Sequence, residues 1–173
     1  MRRIWYSVAM SLDGYIAGPN GEYDWIPMDP DIDFAAMMSR FDTVLMGRNT
    51  FEVMQSSGQD DFMSGIKTIV VSRTLRPEDY PQVTVVGENL ESFVAQLRQE
   101  PGKDIWLFGG GVLFRSLLDA GLVDQIEVAI LPILLGEGIP LASPSSRRAR
   151  LRFASSKVYE KTGTILLEYA VER

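Results

Sequence analysis

Neither cysteine nor histidine occurs among the 173 residues of this chain. The first absence excludes disulfides and thiolate nucleophiles, and the two together remove the usual zinc ligands and the commonest general base. Chemistry is left to carboxylates, Lys, Arg, Ser, Thr, Tyr or a bound cofactor, and no metal site is expected. Long apolar runs are also missing, since no segment reaches the roughly 18 consecutive apolar residues of a membrane span. Met1-Arg2-Arg3 leads into Ile4-Trp5-Tyr6-Ser7-Val8 without a signal-peptide cleavage pattern. The expected location is therefore cytoplasmic, with no membrane partner. Basic residues are the minority, 17 against 23 acidic ones, and the net charge of −6 argues against nucleic-acid binding. What the chain has is 46% hydrophobic content, enough core for one globular domain over residues 1–173.

Hydrophobic patterning alternates short apolar runs with amphipathic segments. Arg2 to Leu12 reads as a strand ending at the turn signal Asp13-Gly14, and Gly18-Pro19-Asn20-Gly21 marks a loop. Helical spacing begins at Asp31 and runs to Met38. Thr43 to Met46 predicts a buried strand, Phe51 to Gln55 a short helix, Lys67 to Ser72 and Val83 to Gly87 further strands. Leu90, Phe93, Val94 and Leu97 share one helical face. The pattern predicts an α/β fold with a mostly parallel central sheet covered on both faces. Gln125 to Leu131, Arg150 to Tyr159 and Thr164 to Glu172 read as three antiparallel additions at one edge.

The richest segment is Ile105 to Phe114, where an apolar strand passes through Gly109-Gly110-Gly111 into a helix. Glycines let backbone approach a ligand closely, and the first helical turn leaves N–H groups unpaired at the positive end of the dipole. Such a junction holds phosphate, or is simply a tight turn against its own sheet. Ligands of open α/β sheets bind beyond the carboxyl ends of strands. Four other polar or glycine motifs stand at such ends: Ser11 to Gly14, Gly47 to Thr50, Ser72-Arg73 and Gly87. Arg48 and Arg73 can pair with phosphate bidentately, which favours a phosphorylated cofactor.

Taken in order, Val8-Ala9-Met10-Ser11-Leu12-Asp13-Gly14-Tyr15-Ile16-Ala17, Met46-Gly47-Arg48-Asn49-Thr50-Phe51, Val70-Val71-Ser72-Arg73, Phe108 to Gly111 and Leu131 to Gly138 resemble the dihydrofolate reductase superfamily. The resemblance is closer to the branch containing the reductase domain of the bacterial bifunctional riboflavin-biosynthesis enzyme, and it covers nearly the whole chain. It implies a three-layer αβα dihydrofolate-reductase-like fold and NADPH as hydride donor. On that template Ala9 and Ile16 contact the nicotinamide carboxamide, while Gly47, Arg48, Asn49 and Thr50 line the pyrophosphate and adenosine-phosphate side. Ser72 and Arg73 take the 2′-phosphate end, and Gly109, Gly110, Gly111, Val112 and Leu113 the pyrophosphate. The resemblance further implies reduction of a small heterocyclic or imine-like substrate, most specifically a ribosylaminopyrimidine of riboflavin synthesis.

The acceptor side departs from both branches. The resemblance assigns the acidic role of the first helix to Asp31, with Asp33 as the near alternative; an Asp there also suits the helix dipole. The arginine that binds the folate glutamate is replaced by Ile66, the threonine supporting the acid by Ala129, and the lysine after the Asp-Gly turn by Tyr15. Asp13, Tyr15, Trp25 and Phe34 are the substrate-side candidates. Trp25 either caps the cleft or anchors its loop. Dihydrofolate reduction proper and an NADPH-binding module without turnover are the other two readings. Asp60-Asp61 and Glu78-Asp79 are read as solvated loop charges, and Arg147 to Arg152 as a solvated edge. The apolar run Ile130 to Leu135 predicts a homodimer, because it exceeds what one edge strand comfortably exposes.

Overall fold

Runs of β-branched and aliphatic residues set the central sheet. The computed structural model describes residues 1–58 and 64–172; Asp60 and Asp61 lie outside them. Among the described residues ten strands and four α-helices follow in the order β1 (Ile4–Ser11), β2 (Tyr15–Ala17), α1 (Phe34–Met38), β3 (Phe41–Gly47), α2 (Arg48–Ser57), β4 (Lys67–Val71), β5 (Thr84–Val86), α3 (Leu90–Leu97), β6 (Asp104–Gly109), α4 (Gly111–Asp119), β7 (Gln125–Leu131), β8 (Ile139–Pro140), β9 (Leu151–Tyr159) and β10 (Thr164–Val171). Eight strands form one sheet in the order β5-β4-β3-β6-β1-β7-β10-β9. β2 and β8 pair separately as a short antiparallel ribbon.

Every pairing from β5 through β7 is parallel, whereas β10 runs antiparallel to both β7 and β9. The expected three antiparallel strands are therefore two. β7 lies inside the sheet, in register with β1 from Trp5↔Gln125 to Ser11↔Leu131. Its apolar run is read equally well by an interior parallel strand, and α4 supplies the crossover that such a connection requires.

Helices cover both faces, each over its own apolar cluster. On one, Val94 and Leu97 of α3 and Leu113, Phe114 and Leu117 of α4 bury Ile4, Tyr6, Leu107, Ile126 and Val128. Tyr6 stacks on Phe114 with centroids 3.8 Å apart, and its hydroxyl donates to the Leu141 carbonyl at 2.9 Å. Burial pushes that hydroxyl above the usual tyrosine range, so it remains a neutral donor. On the other face Phe51 and Met54 of α2, with Met37 and Met38 of α1, cover Trp5, Val44, Met46 and Trp106. Among the described residues no helix is long and apolar enough to cross a membrane.

Two helices start elsewhere than expected. α2 begins at Arg48, directly after the strand, because Gly47 is extended and serves as its N-cap. α1 begins only at Phe34, with Asp33 as N-cap accepting from the Ala36 N–H at 2.9 Å. Both shifts matter to the site. The first aims a helix N-terminus into the cleft, and the second commits one candidate acid to capping.

Candidate active site

The carboxyl ends of β1, β3, β4, β5 and β6 all open on one side, and a cleft of about 2340 Å³ runs across them. β6 sits between β3 and β1, so its terminal Gly109 lies beside Met46 and delivers the glycine run to the middle of this crevice. Gly110 caps α4 in an extended conformation and its carbonyl accepts from the Phe114 N–H at 3.0 Å; the Gly109–Gly110 peptide is cis. The N-termini of α2 and α4 thus meet at one wall, with first-turn N–H groups that their own helices leave unbonded. Close approach explains the glycines. A Cβ on Gly109 would sit 3.2 Å from Thr50 Oγ1, and one on Gly111 only 2.5 Å from the Pro140 carbonyl oxygen.

All the cofactor-side candidates come together on this cleft: Ala9, Ile16, Gly47, Arg48, Asn49, Thr50, Ser72, Arg73 and Gly109 through Leu113 line it. Their local roles differ. Arg48 Nε pairs with Glu52 at 2.7 Å and its Nη1 donates to Thr74 Oγ1 at 2.6 Å, which holds the guanidinium beside the end of β4. Ser72 is buried, and its Oγ accepts from the N–H groups of Thr74 and Leu75 at 3.2 and 2.9 Å. Its hydroxyl therefore shapes the 72–75 turn on which Arg73 is exposed. Two helix N-termini, a cradle that a Cβ would fill and flanking arginines fit a dinucleotide diphosphate carrying a further phosphate.

The substrate-side candidates divide. Phe34 and Asp31 line the cleft. Asp31 stands at its rim, half exposed, where Lys161 Nζ reaches its carboxylate at 2.8 Å. Asp13, Tyr15 and Trp25 are outside the cleft wall. The Asp13 carboxylate accepts from Ser11 Oγ at 2.6 Å and from the N–H groups of Leu135 and Gly136 at 3.1 and 2.8 Å, stapling the β1–β2 turn to the loop after β7. Those bonds, the Ser11 hydroxyl first, hold its carboxyl below the usual aspartate range. Tyr15 pairs with Pro140 in the β2–β8 ribbon. The Trp25 indole donates to the Glu22 carbonyl at 3.0 Å, which makes it a loop anchor, while its neighbours Asp24 and Ile26 face the cleft.

Patterning missed a polar cluster deep in the cleft, where β1 and β7 pair. Glu127, in the middle of β7, is 6% exposed; Ser7 Oγ donates to its Oε1 at 2.6 Å, and Arg40 Nη2 pairs with the same oxygen at 2.9 Å. One signal was available, a lone acid in the apolar run Gln125 to Leu131. Its partners are distant in sequence, so the run alone does not reveal them.

The segment before α1 is latched to the turn between β9 and β10. Buried Asp29 accepts from Thr162 Oγ1 at 2.6 Å and from the Asp31 N–H at 2.9 Å, beside the Lys161–Asp31 pair. The Thr162 hydroxyl is the main cause that holds the Asp29 carboxyl below its ordinary value. A depressed folded pKa stabilises above the unfolded value of about 3.9 and is lost as pH falls through the folded one. The protection factors of residues 26–33, exchange rates taken relative to the unstructured amide at the same pH, should therefore stay high near neutrality and fall only below about pH 4, ahead of those of the sheet. Protection as low at pH 7 as in acid would show that the latch does not hold.

Comparison with known proteins agrees with this architecture. The class that the topology defines is a dihydrofolate-reductase-like αβα protein with a mostly parallel sheet and antiparallel C-terminal strands. The chain belongs to the RibD C-terminal domain family, whose model matches residues 2–165. A Shewanella sp. PV-4 structure with a provisional riboflavin-biosynthesis assignment is 31% identical, covers 100% of both chains and superposes with a TM-score of 0.83. The diaminohydroxyphosphoribosylaminopyrimidine deaminase/5-amino-6-(5-phosphoribosylamino)uracil reductase of Thermotoga maritima is 18% identical, covering 99% of this chain and 57% of that one, with a TM-score of 0.75. Dihydrofolate reductase of Enterococcus faecalis, solved with NADP(H), is 19% identical over 99% of this chain and 97% of that one, with a TM-score of 0.72. The last two share the fold.

Proposed function

We propose that this protein is an NADPH-dependent reductase of a small heterocyclic or imine-like substrate, and most specifically that its activity is like that of a 5-amino-6-(5-phosphoribosylamino)uracil reductase. The observation that carries this reading is the convergence of the α2 and α4 N-termini and the Gly109 to Gly111 cradle on one cleft that continues past Ala9 to Ala129 and Leu166. The family and the Enterococcus structure with NADP(H) support the choice of cofactor.

NADPH would supply a hydride from its dihydronicotinamide ring; the protein's contribution is binding, alignment and exclusion of water. The first-turn N–H groups of residues 48–50 and 111–113 would hold the diphosphate, and Arg73 the further phosphate. The backbone at Ala9 and Ile16 would orient the carboxamide. Ala9 pairs with Ala129 across β1 and β7, and these small side chains leave the sheet surface open for a flat ring.

Incubation with NADPH and a panel of aminopyrimidines and pterins, followed by loss of dihydronicotinamide absorbance, tests the reading. Arg73→Ala should weaken NADPH binding by about tenfold or more and leave NADH binding within about twofold, since only one of them carries the phosphate. Tight NADPH binding with no turnover on any substrate would favour a binding module instead. The dihydrofolate reading is disfavoured by Ile66, which packs against the apolar cluster under α2 where a glutamate-binding cation is needed. Antifolate-sensitive turnover of dihydrofolate would reverse that judgement.

The homodimer is likewise proposed, on a different surface from the one its sequence argument used. Ile130 to Leu135 begins inside the sheet, whereas the edge strand β9 exposes Leu151, Phe153 and Val158, with Ile165 of β10 beside them. Sedimentation should give a dimer at micromolar concentration and a monomer for Phe153→Asp. A wild-type monomer there would overturn it.

A further inference from the structure

The acceptor half of the cleft is paved by side chains in register on one face of the sheet. Ser7 pairs with Glu127, and two residues on Ala9 pairs with Ala129, so the Glu127 carboxylate lies one pleat repeat, about 7 Å, from the place where the resemblance puts the nicotinamide. That is the span of a substituted six-membered ring. Ser7, Arg40, Glu127 and Trp106 all line the cleft at this level.

Packing does not demand an ion pair here. A buried carboxylate–guanidinium pair is seldom more stabilising than apolar side chains of the same volume, so its presence in a wall with Trp5, Phe41 and Trp106 points to recognition. Its geometry leaves capacity on both partners. Glu127 Oε1 takes the two short contacts, from Ser7 and Arg40, while Oε2 receives only the longer ones, 3.2 Å from each terminal nitrogen of Arg40. A guanidinium carries five N–H donors, more than the bonds to Glu127 and the Met37 carbonyl consume. Stacking over the rings of Trp5 and Phe41, at 4.8 and 5.1 Å, fixes its plane, and about a third of its side chain stays accessible. An acceptor and a donor therefore stand side by side. Asp31 offers no such edge, because Lys161 engages it at the exposed rim.

We propose that the Ser7–Glu127–Arg40 cluster anchors the substrate's heterocycle, Glu127 Oε2 accepting from a ring N–H and Arg40 donating to the adjacent carbonyl. The ligand class is a planar heterocycle with a contiguous N–H and C=O edge. The assignment rests on the reductase reading for the place of the cofactor, but the anchor binds its ligand whether or not hydride is transferred.

Calorimetric titration with aminouracil, and with its N-methylated counterpart that lacks ring N–H donors, tests it on the intact protein with and without NADPH. Wild type should bind aminouracil at least about tenfold more tightly than the methylated compound. Glu127→Gln should lose most of that preference, while Asp31→Asn keeps it within about twofold and NADPH affinity is unchanged in both. Ser7→Ala, which leaves the ion pair in place, should weaken aminouracil binding several-fold and serves should Glu127→Gln fold poorly. A merely structural cluster would alter both compounds equally. Wild-type protein that binds neither compound, or Glu127→Gln that retains the preference, overturns the anchor. Failure to bind NADPH, with aminouracil discrimination intact, would sink the reductase reading alone.

Discussion

Gly111→Ala should lower the melting temperature by about 3–10 °C and weaken NADPH binding more than tenfold. The added methyl would lie 2.5 Å from the Pro140 carbonyl oxygen, 3.4 Å from that of Leu141 and 3.5 Å from Ala142 Cα. Those are backbone atoms with little room to move. Leu141 N–H is bonded to the Gly14 carbonyl at 3.0 Å, Ser143 N–H to the Gly111 carbonyl at 3.2 Å, and the Leu141 carbonyl receives the Tyr6 hydroxyl. Alanine is the better helix former by about 1 kcal/mol, which works in the opposite direction. Overpacking against fixed backbone costs roughly 1–3 kcal/mol or more, so the clash prevails. Relief comes only by shifting the first turn of α4, and that displaces the N–H groups assigned to the diphosphate. Val112→Ala, at an exposed neighbouring position, should leave the melting temperature unchanged. A Gly111→Ala variant with wild-type melting and cofactor affinity would show that the approach of α4 to residues 140–142 is not tight.

Asp124→Ala should be more damaging to stability, by about 3–5 kcal/mol. Its carboxylate receives Arg98 Nη2 at 2.7 and 2.8 Å and the Ile4 N–H at 2.9 Å, tying α3 to the start of the central strand. Both side chains are nearly enclosed, at 6% and 14% exposure. Removing one partner leaves the guanidinium buried without its counter-charge, a cost much larger than the net worth of the pair. The melting temperature should fall by about 6–20 °C. Arg98→Met with Asp124→Leu should recover part of the loss, since apolar replacements carry no charge-desolvation penalty but leave the Ile4 N–H and the Arg2 carbonyl without these side-chain partners. A single variant that melts within about 2 °C of wild type would mean that solvent reaches the pair and screens it.

Much of the cofactor half was legible because its signals are local. A glycine run between strand and helix, or an arginine after a strand, carries its consequence within a few residues. That is why Gly47 to Thr50, Ser72, Arg73 and Gly109 to Leu113 could be nominated together and lie on one cleft. The acceptor half was legible only in part because its geometry is assembled from distant segments. Asp33 caps α1, Asp31 is drawn to Lys161, and Asp13 is taken up by the backbone of residues 135 and 136; each partnership except the cap joins residues more than 100 positions apart. Likewise an apolar run reads the same in an interior parallel strand and an antiparallel addition, so periodicity did not place β7.

The sequence by itself determined the alternation of strands and helices, the resemblance that sets the fold, and the residues at the strand ends, because hydrophobic period and glycine conformation act over a single turn or strand. Only the tertiary structure decided which carboxylate is buried in the cleft wall. Glu127 is 120 residues from Ser7 and 87 from Arg40; the parallel register between β1 and β7 closes the first separation to hydrogen-bond distance, and the turn between α1 and β3 closes the second. A buried charge is tolerated where its partners converge on it, and that convergence is a property of the folded sheet.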